Sequence, residues 1–226
     1  MGTADDAMAT AAVEPVEDGM TVGLGTGRAA TRAIHALAAK VDAAGISVRT
    51  VATSVASADL ARSLGLPVLD MGETTHVDFL FDGADEVTED LRMLKGAGGA
   101  MTREKIVARA ATTRWYLVQD EKMVDRIGAR CPLPIEVMPF ALASVTSRLA
   151  SMDLGGTIRE ADGATYQTDN GNLVLDVPLG AGHDAAAVDR LLNDMPGVVD
   201  HGLFLTEADV VLVEGGSALR RLARAT

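Results

Sequence analysis

The sequence predicts an α/β protein, with a parallel sheet in a large domain and a second, smaller ferredoxin-like α/β domain. Short apolar runs alternate with segments whose apolar residues recur at helical spacing, and the connections are short, which is typical of parallel α/β sheets. After residue 131 the order becomes strand–helix–strand–strand–helix–strand, the order of ferredoxin-like domains. The change falls at Cys131-Pro132-Leu133-Pro134, where two prolines stiffen the chain and end the preceding element.

The first part of the chain contains the elements of the expected parallel sheet. Residues 5–18 are rich in alanine and acidic residues and predict a first helix, and residues 29–43 carry apolar residues at helical spacing. Further helices are expected at 58–64 and at about 102–112, and strands at 20–24, 47–52, 67–71, 79–81 and 115–119.

The second part contains the elements of the smaller domain. Strands are expected at 135–138, 157–160, 173–177 and within 198–205, and helices at 141–152 and 185–193, with a turn at 169–171. Residues 209–214 predict a strand that rejoins the first sheet, followed by a basic last helix. The expected domains are therefore 1–130 plus 206–226, and 131–205.

Composition restricts the classes of partner and compartment. The formal net charge of −12 over 226 residues repels the phosphates of nucleic acids, so no nucleic-acid partner is expected. Cys131 is the single cysteine, so no intrachain disulfide can form. No apolar run reaches transmembrane length, and the first residues lack the pattern of a signal peptide. We expect a cytoplasmic protein without a membrane partner.

A glycine-rich loop at residues 23–28 connects a strand to a helix, a layout that presents backbone N–H groups to an anion. A dinucleotide site is disfavoured, because Arg28 occupies the position of the third glycine and Thr53-Ser54 ends the next strand where an acid is expected. We expect a phosphate-binding loop; glycines that serve only strand–helix packing are the alternative.

The stretch 78–105 contains carboxylates, a cation and free backbone N–H groups within one segment. Asp82 and Asp85 follow an apolar strand, Lys95 opens the glycine-rich turn 96–99, and Glu104 lies in the first turn of a helix that Thr102 is expected to cap. These groups suit proton transfer on a small anionic substrate. Taken singly, the two aspartates are also common in turns, Lys95 on surfaces and Glu104 at helix starts.

Several of these residues follow predicted parallel strands, whose carboxyl ends form the ligand-binding edge of such sheets. Residues 25–28, 53–54 and 82–85 and Lys122 should lie there. The acidic run 82–90 lacks the spacing of a calcium loop, and the histidines are scattered. No metal and no cofactor are therefore expected.

Seven blocks of the sequence resemble the signature blocks of ribose-5-phosphate isomerase, type A, in the order found in that family. They are residues 23–27, 82–86, 95–100, 102–105, 132–137, 168–172 and 202–204. The resemblance implies a Rossmann-like domain plus a small α/β domain. It also implies metal-free interconversion of D-ribose 5-phosphate and D-ribulose 5-phosphate in the pentose phosphate pathway, by a homodimer or tetramer.

The resemblance also implies residue roles. Glu104 corresponds to the catalytic base of an enediolate mechanism, Asp82 and Asp85 to residues that bind sugar hydroxyls and assist ring opening, and Lys95 to a group of the substrate pocket. Thr26 to Ala29 correspond to the phosphate loop. The implied substrate-binding residues are Thr26, Gly27, Arg28, Ala29, Asp82, Gly83, Ala84, Asp85, Lys95, Gly96, Ala97, Gly98 and Lys122.

The phosphate loop departs from the family pattern. Arg28 and Ala29 stand where the family usually has Ser and Thr, and residues 1–27 contain no lysine to reach the phosphate. Ala97 replaces a glycine. We expect Arg28 to take over the phosphate contact, since a guanidinium can grip phosphate with two parallel hydrogen bonds.

Two other classes of function share the expected scaffold. One is a sugar-phosphate sensor domain that binds without turnover, and the other comprises acyl-CoA transferases and amino-sugar-phosphate deaminases. The intact Glu104 and the acidic net charge favour an enzyme over a sensor.

Overall fold

The computed structural model describes residues 6–216 and 218–224. Contacts divide this part of the chain into two compact units. The first comprises the described residues of Met1–Ala84, Arg103–Lys122 and Glu207–Thr226, and the second comprises Asp85–Thr102 and Met123–Thr206.

The secondary structure alternates as the sequence predicts. The helices are α1 (Ala7–Val13), α2 (Arg28–Ala44), α3 (Val55–Ser63), α4 (Met101–Ala110), α5 (Leu142–Ala150) and α6 (Ala185–Asn193). The strands are β1 (Thr21–Leu24), β2 (Arg49–Ala52), β3 (Val77–Gly83), β4 (Glu86–Val87), β5 (Met93–Leu94), β6 (Ala111–Gln119), β7 (Leu133–Val137), β8 (Thr157–Ile158), β9 (Glu160–Ala161), β10 (Ala164–Thr165), β11 (Leu173–Val177), β12 (Val198–His201), β13 (Leu203–Phe204), β14 (Val210–Gly215) and β15 (Ala218–Ala223).

The first unit contains a sheet in the order β15-β14-β6-β3-β1-β2. All neighbouring strands are parallel except β14 and β15. The central strands are buried, and Leu24, Phe81 and Ile34 of α2 belong to one apolar cluster that covers the sheet. Few aromatics are available, so small aliphatic side chains fill most of this core. The parallel α/β fold class is confirmed.

The last described segment is strand β15, and the prediction of a basic helix there is wrong. After Gly216, which adopts a φ of 56°, the chain reverses and β15 pairs antiparallel with β14 along six residue pairs. Leu219 packs against the apolar cluster, and the guanidinium of Arg221 lies 5.3 Å from the centre of the Trp115 ring. A short isolated helix is only marginally stable, so this segment is more stable as a strand paired with the open edge of β14.

Smaller differences concern the ends of elements. The first helix is shorter than the predicted 5–18, and residue 5 lies outside the described residues. Residues 67–71 form a single bridge, from Val68 to Thr50, instead of a strand. Thr102 lies inside α4 instead of capping it, and β6 already begins at Ala111. The expected strand 157–160 is split between β8 and the small hairpin of β9 and β10.

The second unit contains an antiparallel sheet in the order β12-β7-β11-β8, with α5 and α6 as its connecting helices. This is the ferredoxin-like order that the sequence predicts. Its apolar cluster includes Ile135, Val145 and Leu192, from the sheet and the two helices. The units also place residues 85–102 and 123–130 with this sheet, whereas the sequence-based boundary assigned them to the first domain. Contact units need not fold independently, so the domain boundaries stay a prediction.

No helix among residues 6–216 and 218–224 is both long and apolar enough to cross a bilayer.

A buried carboxylate organises one end of the second unit. Glu136 on β7 has no exposed surface, and its oxygens accept hydrogen bonds from the hydroxyls of Thr102 and Thr168 and the amides of Asn170 and Asn172. The expected turn at 169–171 is present and contains Gly171 at a φ of 77°. Because a buried charge is costly unless it is hydrogen-bonded, these donors hold the turn against β7.

We expect Glu136→Gln to lower the free energy of unfolding by about 1–3 kcal/mol, because neutral amide oxygens bind these donors less strongly than a carboxylate does. Urea unfolding should show a lower midpoint for this variant than for Glu160→Gln, which changes an exposed glutamate of β9. Equal midpoints for the two variants would contradict the stabilising role.

Candidate active site

The candidate phosphate loop lies between β1 and α2 in the first unit. Gly27 precedes α2 with a φ of 95°, and the helix begins at Arg28 without a side-chain cap. Its first N–H groups and the positive end of the helix dipole are therefore available to an anion. A cleft of about 530 Å³ opens here, lined by Thr26, Gly27, Arg28, Thr31, Arg32, Ala56, Ser57 and Leu60.

Two arginines line this cleft, and their surroundings differ. Arg32 is held by Asp6 and Glu214, with shortest N–O distances of 2.6 Å and 2.9 Å. Its hydrogen bonds with Glu214 and Asp6 raise the pKa of this guanidinium, and the same hydrogen bonds lower the pKa of both carboxyls. Arg28 is exposed. The cleft thus combines a cation engaged in structure with one that is accessible to a ligand.

A cluster of hydroxyl groups lies beneath the loop. The Thr26 hydroxyl is 2.8 Å from that of Thr53 and 2.9 Å from that of Ser54. Ser57 donates to the Gly25 carbonyl at 2.7 Å, and the Ser54 hydroxyl caps α3 by accepting from the Ser57 N–H. The network fixes the loop between two helix starts. The sequence predicted Thr53 and Ser54 at this edge but missed Ser57, whose only signal was its position three residues after a capping serine.

Asp82 holds the same loop from β3. Its Oδ1 accepts from the N–H groups of Thr26 at 3.0 Å and Gly83 at 2.7 Å. Gly25 has no side chain to keep the loop away; a Cβ there would lie 2.1 Å from this oxygen and 2.5 Å from the Asp82 Cα. The predicted convergence of residues 25–28 with Asp82 is therefore present, and the close approach requires glycine at position 25.

Glu104 is buried in the first turn of α4, with 4% of its surface exposed. Tyr116 on β6 is fully buried and pairs in register with Asp82 on β3. Burial raises the pKa of the Tyr116 phenol well above its usual range, and the charges of Asp82, Glu104 and Glu207 raise it further. Tyr116 is therefore a buried phenol that neighbours Asp82 across the strand pair, and burial together with the charges of Asp82 and Glu104 keeps its pKa raised.

Sequence reasoning missed Tyr116. The only signal was a polar aromatic residue in the middle of an apolar strand. The pairing that places it beside Asp82 depends on the register of β3 and β6, which the sequence does not state.

The other predicted residues of this unit lie near the ends of the same strands. Gly83 ends β3, and Ala84 follows it. Lys122 lies in the 3-10 turn Asp120–Lys122, directly after β6, and is half-buried. Ala29 lies in the first turn of α2. Their part in binding stays a prediction.

Asp85 and Lys95 belong to the second unit. They flank the antiparallel strands β4 and β5, where Glu86 pairs with Leu94, so the hairpin makes them neighbours. Only 2% of Lys95 is exposed, and its Nζ lies 5.6 Å from the centre of the Phe204 ring. Its backbone N–H donates to Gly202, where a Cβ would lie 2.1 Å from the Lys95 carbonyl oxygen. The hairpin therefore places the backbones of Asp85 and Lys95 next to each other, with the Lys95 side chain buried.

The predicted glycine loop is a tight turn that follows Lys95. The Gly99 N–H donates to the Gly96 carbonyl, and both glycines adopt positive φ angles, of 75° and 103°. The N–H of Ala97 donates to Asp85 Oδ2 at 2.9 Å. The alanine at position 97 is compatible with this turn, because Ala97 does not have a positive φ.

Glu86 has a structural role. It is buried, and its carboxylate accepts from the N–H groups of Gly128, Arg130 and Cys131 at 2.6–2.7 Å. The block 82–86 therefore combines candidate catalytic carboxylates with one that holds a loop. Across the described residues, no group of three or more His, Cys, Asp or Glu side chains is arranged to hold a metal ion.

Comparisons with known proteins identify the relatives of this chain. Residues 49–217 match the family described as ribose 5-phosphate isomerase A (phosphoriboisomerase A). The chain is 45% identical to ribose-5-phosphate isomerase A of Thermomicrobium roseum, with 99% of this chain and 96% of that protein covered.

Solved structures of the same family also resemble this chain. The ribose 5-phosphate isomerase A structure from Methanocaldococcus jannaschii is 37% identical with a TM-score of 0.90, over 96% of each chain. A D-ribose-5-phosphate isomerase solved with phospho-erythronic acid is 33% identical with a TM-score of 0.91, also over 96% of each chain.

We expect Gly25→Ala to destabilise the protein, because the added Cβ would overlap the backbone of Asp82. Overpacking of this kind typically costs about 1–3 kcal/mol. Gly155→Ala is the control, since a Cβ at Gly155 would meet no atom within 4 Å. Urea unfolding of both variants checks the prediction, and a Gly25→Ala midpoint equal to that of Gly155→Ala would contradict the close packing.

Proposed function

The chain belongs to the ribose 5-phosphate isomerase A family, and from this premise we propose that it interconverts D-ribose 5-phosphate and D-ribulose 5-phosphate through an enediolate, with Glu104 as the base. In the open-chain sugar, Glu104 takes the proton from C2. The electron pair of that C–H bond forms a C1–C2 double bond, and negative charge moves to O1. The same carboxylic acid then returns the proton to C1, while a proton moves from O2 to O1.

Burial and helix position support Glu104 as the base. With 4% of its surface exposed, it is shielded from water that would exchange the transferred proton. The first turn of α4 favours the ionised carboxylate, the form that a base requires. The charges of Glu104 and Asp82 both raise the pKa of the Tyr116 phenol, which is consistent with a shared site. A carboxylate in this position also matches the family motif.

Asp82, Asp85 and Lys95 supply the remaining proton and charge chemistry in this proposal. Asp82 takes the proton of the anomeric hydroxyl and passes it to the ring oxygen O4 as the C1–O4 bond breaks and the C1 carbonyl forms. Asp85 binds a hydroxyl of the open chain. Lys95, a buried cation, stabilises the negative charge on O1. Backbone N–H groups of the loop after Lys95 add further donors, each typically worth about 3–4 kcal/mol in a transition state.

The phosphate group binds at the start of α2. Support comes from the open N–H groups of the first turn, the Thr26 loop and the exposed Arg28 that lines the cleft. Because Arg32 is already engaged by Asp6 and Glu214, Arg28 is the better candidate for an ion pair with phosphate. Thr26, Gly27 and Ala29 contribute backbone and hydroxyl contacts, and Lys122 contacts the sugar.

We also propose, from the resemblance to the family, that the enzyme acts in the pentose phosphate pathway, in the cytoplasm, as a homodimer or tetramer and without metal. By likeness to the relative solved with phospho-erythronic acid, we expect the same compound to bind here.

The reaction and its base are tested together by mixing the purified protein with ribose 5-phosphate and a metal chelator, and measuring ribulose 5-phosphate. We expect turnover in the wild type and a loss of about 10²–10⁴-fold in kcat for Glu104→Gln, because the amide cannot accept the C2 proton. Glu73→Gln changes an exposed glutamate of the same unit and should retain full activity.

Each alternative result of this experiment would indicate a different function or a different base. Turnover retained in Glu104→Gln would assign the base elsewhere, with Asp82 or Asp85 as the next variants. Binding of ribose 5-phosphate without turnover would indicate a sensor. Turnover only of glucosamine 6-phosphate or an acyl-CoA would indicate one of the related enzymes. Loss of wild-type activity in the chelator would contradict metal-free chemistry.

Replacement of Arg28 by alanine tests the phosphate contact. We expect the KM for ribose 5-phosphate to rise about ten- to hundred-fold with kcat largely retained, because a hydrogen bond between charged groups is worth about 1.5–3 kcal/mol. Arg62→Ala, which removes an exposed arginine from α3, should leave KM unchanged.

Unphosphorylated ribose serves as a second control for Arg28. The kcat/KM for ribose should be the same in wild type and Arg28→Ala, because ribose has no phosphate for Arg28 to bind. An unchanged KM for ribose 5-phosphate would show that Arg28 does not hold the phosphate.

A further inference from the structure

The glycine loop of the second unit is bound from one side by an arginine that no sequence motif indicated. Arg159 lies between β8 and β9, and its Nη1 donates to the carbonyl oxygens of Gly96 at 2.8 Å and Ala97 at 3.0 Å. The next carbonyl, of Gly98, accepts from the Tyr166 hydroxyl at 3.1 Å. Three successive carbonyls of the loop are thus held by two side chains.

Arg159 is itself firmly placed. Its Nε and Nη2 form a two-pronged ion pair with the Asp176 carboxylate of β11, and only 14% of the arginine side chain is exposed. Its guanidinium carbon also lies 5.8 Å from the centre of the Tyr166 ring. Because Asp176 balances the charge, the contribution of Arg159 is mainly geometric. A planar guanidinium with fixed donors suits that task better than a flexible ammonium does.

The orientation of these carbonyls determines where the loop N–H groups point. In a trans peptide the N–H lies opposite the carbonyl of the preceding residue. With the Gly96 carbonyl bound to Arg159, the Ala97 N–H points away from the guanidinium and reaches Asp85. With the Ala97 carbonyl bound to Arg159, the Gly98 N–H must likewise point away from it.

We propose that Arg159 is a positioning residue of the isomerisation: by binding the Gly96 and Ala97 carbonyls it orients the Ala97 N–H to hold Asp85 and the Gly98 N–H to bind the developing oxyanion. This inference rests on the proposed function. It adds a role for a residue that acts through the backbone of the glycine loop. Without Arg159, a peptide of the loop can rotate, and its electronegative carbonyl then faces the oxyanion that the N–H should stabilise.

The test compares Arg159→Met with Arg126→Met. Arg126 is a matched control, since its Nη1 also donates to two backbone carbonyls of the same unit, those of Ile127 and Leu179, away from the glycine loop. For each full-length variant, kcat and KM for ribose 5-phosphate, the inhibition constant of phospho-erythronic acid and the urea unfolding midpoint are measured. The carboxylate of that compound resembles the charge and planarity of the enediolate, so we expect it to inhibit.

We expect Arg159→Met to lower kcat by about hundred-fold, the loss typical of a small misplacement of catalytic groups, with KM changed by less than about threefold. Its inhibition constant for phospho-erythronic acid should rise by a similar factor to the fall in kcat. Arg126→Met should leave kcat, KM and the inhibition constant near wild-type values, whatever its unfolding midpoint.

Unchanged kcat and inhibitor affinity in Arg159→Met would overturn the inference. So would equal losses in both arginine variants, since these would indicate a stability effect alone. If Arg159→Met fails to fold, Arg159→Lys and Tyr166→Phe replace it, and a kcat reduced about tenfold with KM retained is the expected result. Wild-type kcat in both variants would overturn the inference. A wild-type protein without isomerase activity would instead reject the proposed function.

Discussion

The Asp82 carboxylate lies at the carboxyl end of β3 and accepts hydrogen bonds from the backbone of the neighbouring loop and from Gly83. Hydrogen bonds to a charged acceptor are typically worth about 1.5–3 kcal/mol each, so they hold the loop in place. The loop can approach only because Gly25 has no side chain. The start of α2, and with it the proposed phosphate site, therefore depends on the same group that is proposed to open the sugar ring.

Buried or largely buried charged side chains in the second unit hold loops in the same way. Glu86 binds three backbone N–H groups, Glu136 binds hydroxyls and amides, and the Arg159–Asp176 pair binds two carbonyls. Burial of a charge is unfavourable unless its hydrogen bonds are made, so each group restricts the backbone that satisfies it. The loop at residues 96–99 is rich in glycine, and the Arg159–Asp176 pair supplies the rigidity that glycine does not.

Much of the fold followed from local patterns. Apolar runs bounded by glycine and acidic residues predicted the central strands, and helix α6 and strand β11 have the predicted bounds. The last segment was predicted wrongly as a helix, because its basic residues and short length carry no clear period. Its structure is decided by the open edge of β14 and by the Trp115 ring that Arg221 covers.

The sequence by itself determined the parallel α/β class, most of the order of elements, the family and the residues proposed for proton transfer, because spacing along the chain and motif chemistry are local properties. Only the tertiary structure decided that Tyr116 lies beside Asp82 and that Arg159 binds the glycine loop. Both contacts depend on strand register and on residues far apart in sequence. A one-residue shift in register would turn Tyr116 to the opposite face of the sheet, and no local pattern fixes that register.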